Sequence, residues 1–551
     1  MLQEVIEDKK RIIVNFLERG FLLSPGFFEV FNESYFLMVM DVLGKLKSKP
    51  LVLNEDLFLI IKDNELKEEI NWTEFDRSRV LLERGFGNKN YFLFLDIMNY
   101  NMSEEKRKIM EEVFNEEPFS EKEIRREGEE DGDNLIVLQS YKDEDKKREV
   151  GDFVKYYRLR YNALRGFLMN RGELKEAVAI NRVLNKSEKG VVAIIGIVKD
   201  KRETKNGNIM LVMEDLSGEI NVIVNKSRGE LYEMGKDIVL DEVIGITGVN
   251  GERIIFANTI LLPEIPLSNE LKKLDKEKYI VFTSDLHIGS KMFFQENFIK
   301  FINWLNYESG NEEQKKTARK VGYLFLVGDL VEGGGIYPGQ EDDLVIKDIY
   351  EQYKLLGELL RKIRKDLKIV IIGGNHDALR LSEPQPPLDK RMVKELYEMG
   401  NVYLLTNPCM VNICASGEFQ GFNVLMYHGG SFPYFAENVE SIRKAGRLDR
   451  ADLIMRFLLQ RRHLAPSHGS TLYIPDVERD PLVIERVPDF FVSGHIHKTQ
   501  ALNYRGVTML GCGCWTGQTE DQEKRGIIPD PNRVTLVNLN TREVKILNFG
   551  D

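Results

Sequence analysis

The chain has 551 residues, 42% of them hydrophobic and 30% charged, and a formal net charge of −11. A chain of that length exceeds one ordinary core and predicts two to four domains. The acidic balance excludes a protein that grips nucleic acid over its whole surface, so any such contact is local or made through bound cations.

The first residues, MLQEVIEDKKRIIV, mix acids and bases where a signal peptide needs an apolar core. No later run is long and apolar enough to span a membrane. Four cysteines make no disulfide framework, and the expected location is a reducing cytoplasm. Of the seven histidines none precedes His287, which directs attention to the C-terminal half.

Residues 1–48 read as a small helical unit. Leu2, Ile6, Ile12, Ile13, Phe16 and Leu17 approach helical spacing, and Ser24-Pro25-Gly26 breaks the chain before a second apolar stretch, Tyr35 to Leu46. Residues 49–150 hold strand-like pieces at Leu57–Ile61 and Tyr91–Leu95 without an evident fold. From Ser103 to Val150 charge dominates, as in Arg125-Arg126-Glu127-Gly128-Glu129-Glu130-Asp131, and the stretch reads as a solvated linker.

Residues 151–270 read as a helix followed by a small β-barrel. The helix runs from Phe153 to Leu168, with a stripe of Phe153, Tyr156, Tyr157, Leu159, Tyr161, Leu164 and Phe167 expected to be buried. Strands follow at Val191–Val198, Ile209–Glu214, Glu219–Val224, Ile238–Val249 and Arg253–Leu262, with a hairpin turn at Lys205-Asn206-Gly207-Asn208. The pattern resembles an OB-fold, which binds single strands or docks proteins. No row of exposed aromatics is evident, which favours docking.

From residue 271 to 551 strand and helix alternate. Tyr279–Ser284, Gly322–Val327 and Leu367–Ile372 suit buried parallel or mixed strands, with a helix between Leu344 and Ile363. Each strand ends in residues able to bind metal, and ligand sites in open α/β sheets lie beyond the carboxyl ends of strands. The groups are Asp285-Leu286-His287, Gly328-Asp329, Gly374-Asn375-His376-Asp377, a lone His428, and Gly494-His495-Ile496-His497. Alternation puts residues two apart on one side of an extended chain, so Asp285 and His287 can meet one ion. His495 and His497 can be parted to different ions by a local turn. The two oxygens of the Asp329 carboxylate can bridge two cations about 3.5–4 Å apart.

This series resembles the calcineurin-like metallophosphoesterases, whose pattern is DxH, GD, GNH(D), a lone His and GHxH, all in this order. The resemblance implies a phosphoesterase domain of mixed sheets flanked by helices, and with the readings above the chain is expected to be multi-domain α/β: a small helical N-terminal unit, an OB-fold barrel, then that domain. It implies a first metal on Asp285, His287, Asp329 and His497, and a second on Asp329, Asn375, His428 and His495. Both are divalent, with manganese preferred and iron or zinc as alternatives. His376 then protonates or stabilises the leaving oxygen, and Asp377 either orients its ring or serves as a turn residue.

Other strings are similar to the small subunit of archaeal family D DNA polymerase: Phe153-Val154-Lys155-Tyr156-Tyr157 to Arg160-Tyr161, Leu174–Val183, Arg461-Arg462-His463-Leu464-Ala465-Pro466, and Trp515-Thr516-Gly517-Gln518-Thr519-Glu520. That resemblance implies a proofreading 3′–5′ exonuclease beside a separate large polymerase subunit. The implied partners are that subunit, a single-stranded DNA 3′ end, and a sliding clamp or primase reached through the complex. The competing readings are an inactive scaffold and a stand-alone metallophosphatase. Arg461 to Pro466 either contacts substrate phosphates or ends a solvated helix. Cys512 and Cys514 read as small buried residues rather than zinc ligands, because only Cys409 and Cys414 remain to complete a site.

Overall fold

The computed structural model describes residues 16, 22–23, 35–45, 52–53, 134–142, 147–186, 189–417, 419–476, 478–519, 522–523 and 528–550. The chain divides into two compact units, Met1–Ser120 and Glu121–Asp551. In the first, β1 (Leu22–Leu23) pairs in parallel with β2 (Val52–Leu53), and the predicted apolar stretch forms a helix, Phe36–Lys45. The strand-like pieces at 57–61 and 91–95 and the acidic run at 125–131 lie outside the described residues.

The second unit begins with a correction to the expected linker. Leu135-Ile136-Val137-Leu138-Gln139 forms β3, which pairs antiparallel with Cys409–Ile413. Four apolar residues in a charged stretch are enough to fill a sheet edge, and Leu135 is buried. The helix Val150–Met169 follows, opened by the Asp152 carboxylate accepting the Glu149 N–H at 2.9 Å. Its buried stripe holds the expected Tyr156, Tyr161 and Leu164, but also Arg160.

Five strands then close a barrel: β4 (Val191–Glu203), β5 (Ile209–Asp215), β6 (Gly218–Val224), β7 (Val243–Asn250) and β8 (Ile254–Leu261). They are ordered β4-β5-β6-β8-β7, and a helix, Gly229–Lys236, lies between β6 and β7 in the chain. Alternating apolar residues such as Ile209, Leu211 and Met213 on β5 and Ile220, Val222 and Val224 on β6 fill its core.

The remaining strands are β9 (Tyr279–Thr283), β10 (Val321–Val327), β11 (Lys368–Ile372), β12 (Val402–Leu404), β13 (Cys409–Ile413), β14 (Phe422–Met426), β15 (Phe490–Ser493), β16 (Gln500–Tyr504), β17 (Val507–Gly511), β18 (Arg533–Asn538) and β19 (Val544–Asn548). They form two mixed six-stranded sheets, β12-β11-β10-β9-β18-β19 and β16-β17-β15-β14-β13-β3.

Strand alternation explains how the sheets stack. Ile280 and Phe282 of β9, Phe325 of β10 and Val370 of β11 join Val424 of β14 and Val492 of β15 in one core. The opposite faces carry Val281, Leu324 and Ile371 against helices Gln295–Leu305 and Ile349–Leu360, and Leu425 and Phe491 against helices Phe432–Asn438 and Ala451–Arg461. The result is four layers, helix–sheet–sheet–helix, with both sheets buried on their two faces. In this arrangement β9, β10 and β11 run parallel in one sheet, as do β14 and β15 in the other.

Candidate metal centre

Every predicted ligand follows the carboxyl end of one of these parallel strands. Asp285 and His287 follow β9, Asp329 follows β10, Asn375 and His376 follow β11, His428 follows β14, and His495 and His497 follow β15. The structure gathers them into two groups, Asp285 with His287 and His497, and Asp329 with His428 and His495. In each, one ligand atom per residue lies within 4.8 Å of the others. Asn375 joins the second group, its Oδ1 3.2 Å from His428 Nε2.

The local route differs from simple alternation. The strands have ended before the ligands begin, and Asp285, His287, Asp329, His495 and His497 have φ of 54°, 53°, 50°, 70° and 55°. Left-handed backbone at a non-glycine residue costs of order 1–3 kcal/mol and persists where the surroundings over-determine it. Here each turn is pinned. The N–H of Asp285 donates to Gly328 O at 3.0 Å, that of His287 to Asp329 O at 3.1 Å, and that of His495 to both Asp285 carboxylate oxygens. Glycine is needed at two close approaches: a Cβ at Gly374 would collide with the Asp329 carboxylate, and one at Gly494 with Ser284 and Asp285.

The donor atoms suit cations. His287 Nδ1 donates to Glu332 Oε2 at 2.8 Å, so Nε2 turns a lone pair toward His497 Nε2, 3.2 Å away. Two nitrogens about 2.0–2.1 Å from a shared ion would lie about 2.9–3.4 Å apart. His428 Nδ1 donates to Val327 O at 2.7 Å, and its Nε2 faces Asp329 Oδ2 and Asn375 Oδ1, each at 3.2 Å. Three acceptors thus converge in a buried place where only a proton or a metal can satisfy them. Burial works against the His428 imidazolium, but the Asp329 carboxylate outweighs it and pushes the ring up to about 10. His495 goes the other way: burial, then the neighbouring His428, lowers it to about 4 and keeps it a neutral donor.

Glu332 was not among the predicted residues. It is buried, takes the His287 Nδ1–H on one oxygen and accepts from Gln340 Nε2 at 3.1 Å on the other. A carboxylate behind a ligating histidine fixes its tautomer and orientation. The available signal was an acid three residues beyond Gly328-Asp329.

His376 is part-buried beside the first group, and its Nδ1 lies 2.9 Å from Glu332 O. A carbonyl only accepts, so Nδ1 carries a proton and Nε2 is the free nitrogen. Asp377 does not orient this ring. Its carboxylate accepts from Gly374 N at 2.8 Å, Leu330 N at 3.3 Å and Tyr353 Oη at 3.1 Å, tying the β11 loop to the β10 loop. Burial, then the charge of Asp329, pushes it up to about 7.

The Arg461 to His463 segment is neither solvated nor at the substrate. Arg461 Nε pairs with Glu242 of the barrel at 2.9 Å, Arg462 donates to Ile484 O, and His463 Nε2 donates to Asp480 at 2.9 Å. Asp480 also takes Arg160 Nε at 2.7 Å and Tyr156 Oη at 2.6 Å. Trp515 donates to Thr283 Oγ1 at 2.7 Å, and its N–H donates to Asp285 O at 2.9 Å, which braces the first ligand loop. All four cysteines are buried. Cys514 Sγ donates to Thr516 O, and no cysteine stands in a metal-binding group among the described residues.

Comparison with known proteins adds the relatives. The family of B-subunits of DNA polymerase alpha/epsilon matches residues 280–501. The chain is 40% identical over 402 residues to the DNA polymerase II small subunit of Methanothermobacter thermautotrophicus, covering 73% of this chain and 80% of that one. It is 37% identical over 411 residues to the same-named protein of Methanocaldococcus jannaschii, covering 73% and 67%. A solved structure titled as a novel archaeal phosphodiesterase overlaps 49% of this chain and 98% of its own, at 12% identity and a TM-score of 0.24, too loosely to argue from.

Proposed function

Because the chain belongs to the family of small subunits of archaeal family D DNA polymerase, we propose that it is the 3′–5′ exonuclease of such an enzyme. On this reading it hydrolyses the terminal phosphodiester of a single-stranded DNA end. The carrying observation is the full set of donors around one carboxylate: Asp329 Oδ2 lies 3.2 Å from His428 Nε2 and 3.9 Å from His287 Nε2. A subunit serving only as a scaffold has no need of five strained or buried polar loop positions at this point.

Asp285, His287, His497 and Asp329 would hold one divalent cation, and Asp329, Asn375, His428 and His495 the other. Carboxylate, imidazole and amide oxygen without thiolate suit manganese first, with iron or zinc as alternatives. When bound, such cations supply positive charge against phosphate oxygens and acidify water. The chain's own groups do the rest. Glu332 keeps the His287 Nδ1 proton in place, and Asp377 keeps the β11 loop beside Asp329. His376, with its Nδ1 proton committed to Glu332 O, holds or releases a second proton at Nε2, where the leaving 3′-oxygen needs it.

The barrel supports the partner half of this reading. We read its closed five-stranded order β4-β5-β6-β8-β7, with a helix between β6 and β7, as an OB-fold. The outward residues of β5 and β6, Met210, Val212, Glu214, Glu219, Asn221 and Ile223, include no aromatic for bases to stack on. Docking to the large polymerase subunit is the role proposed for it, with a sliding clamp or primase reached through that complex. The net charge of −11 makes independent capture of DNA weak, and a large subunit delivering the strand raises its effective concentration at the centre. The test is metal-dependent shortening of single-stranded DNA by the full chain; a metal-replete chain with no such activity would return the scaffold reading.

A further inference from the structure

The predicted ligands open into a cavity of about 430 Å³, within the range of about 300–1,000 Å³ that holds small ligands. Its floor is the centre itself, with Asn375, His376 and His495. One wall is different in kind: Ile336, Tyr337, Pro433, Leu448 and Ile496 are apolar. Tyr337 is the single phenol ring lining it among the described residues. Its hydroxyl is already engaged, donating to Asp343 Oδ2 at 2.9 Å and lying 3.5 Å from Glu332 Oε1, so what it can offer a ligand is its ring.

Polar neighbours of this wall are already engaged. Gln522 lies 3.1 Å from His497 Nδ1, Thr519 Oγ1 accepts from Gln522 N, Thr516 donates to Gly517 O, and Glu437 pairs with Arg447. A ligand against the wall therefore meets flat apolar contact and little that reads hydrogen-bonding edges.

We propose that Tyr337 and the apolar wall around it form the stacking subsite for the base of the nucleotide attached to the scissile phosphate. The inference rests on the exonuclease reading and deepens it. A phosphate held over the floor has its nucleoside in the same cavity that this wall lines. Stacking is sequence-tolerant because every base has a π-face, which suits an enzyme that must remove whichever nucleotide ends the strand.

The experiment crosses two changes using the full chain with manganese. Tyr337→Ala removes the ring, and an oligonucleotide with an abasic 3′-terminal residue removes the base. Each alone is expected to raise KM for single-stranded DNA about 10-fold, and the two together no more than either, as for one lost stacking contact. Tyr337→Phe keeps the ring and stays within about 2-fold of the parent. If Tyr337→Ala weakens the abasic strand as much as the intact one, or if Phe is as weak as Ala, the residue acts through Asp343 and Glu332 and the subsite is wrong. The abasic strand on the parent protein needs no variant, and an unchanged KM there overturns the proposal by itself. If the parent chain cleaves no single-stranded DNA, the exonuclease reading fails first, and that failure is visible before any substitution.

Discussion

Asp329 Oδ1 accepts the backbone N–H of His376 at 2.8 Å, while Oδ2 faces both ligand groups, 3.2 Å from His428 Nε2 and 3.9 Å from His287 Nε2. The same carboxylate would thus contact the cations and hold the residue proposed to supply the proton. Asp329→Asn puts an amide nitrogen on one of the two oxygen positions. It either repels the His376 N–H or removes the shared donor, and bound metal measured by mass spectrometry should fall from about two ions per chain to less than one.

Glu332→Gln retains the shape of the side chain but weakens its hold on His287 Nδ1. The expected loss is roughly 10- to 100-fold in metal affinity, as for other outer carboxylates behind ligating histidines. A metal titration followed by calorimetry would show it, with little change in melting temperature of the metal-free chain.

His376→Ala separates binding from proton transfer. His376 belongs to neither the Asp285–His287–His497 nor the Asp329–His428–His495 group, though it forms a third with His287 and Glu332; both ions should remain, while turnover falls roughly 100- to 10,000-fold. Depletion of both ions in this variant would show His376 to be a ligand.

Much of the centre was legible because its ligands sit in short strings at strand ends, where type and spacing carry the chemistry. Gly374-Asn375-His376 and Gly494-His495-Ile496-His497 needed no tertiary information to be singled out. The partners behind them did need it. Glu332 meets His287 across 45 residues, and Arg160 meets Asp480 across 320, and no local spacing encodes such pairs. The same holds for β3, whose apolar run is plain but whose partner β13 lies far along the chain. Asp377 misled because its neighbour in sequence is His376, whereas its carboxylate turns back to Gly374 and Leu330.

The Arg160–Asp480–His463 cluster predicts the response to acid. His463 takes the Ala465 N–H on Nδ1 at 2.9 Å and donates from Nε2, so the folded ring is complete while neutral. Burial, then the charge of Arg160, lowers it from 6.5 to about 4. Between those values the unfolded chain binds more protons, so stability falls as pH drops through that window. Asp480 is held well below the usual carboxylate range: burial opposes this, but Arg160 and His463 prevail. Its contribution is present above the ordinary carboxylate value and is lost in stronger acid. His463→Gln should flatten the melting temperature against pH between 6.5 and 4. Asp480→Ala should cost about 3–5 kcal/mol at neutral pH by leaving Arg160 buried and unpaired.

The position of β3 limits how much of the N-terminal region can be removed. A cut after residue 145 deletes the edge strand paired with Cys409–Ile413, whereas a cut after residue 133 retains it. The longer chain should melt like the parent and keep its large subunit on co-purification. The shorter one should melt lower and expose β13, with a tendency to aggregate.

The most direct measurement uses one DNA strand labelled at its 5′ end and another labelled at its 3′ end, with the full chain, manganese, and the large subunit present or absent. The 5′-labelled strand should shorten one nucleotide at a time, the 3′ label should leave first as a mononucleotide, and chelator should stop both. Release of inorganic phosphate with strand length unchanged, or intact strands in the presence of a metal-replete chain, would contradict the exonuclease reading.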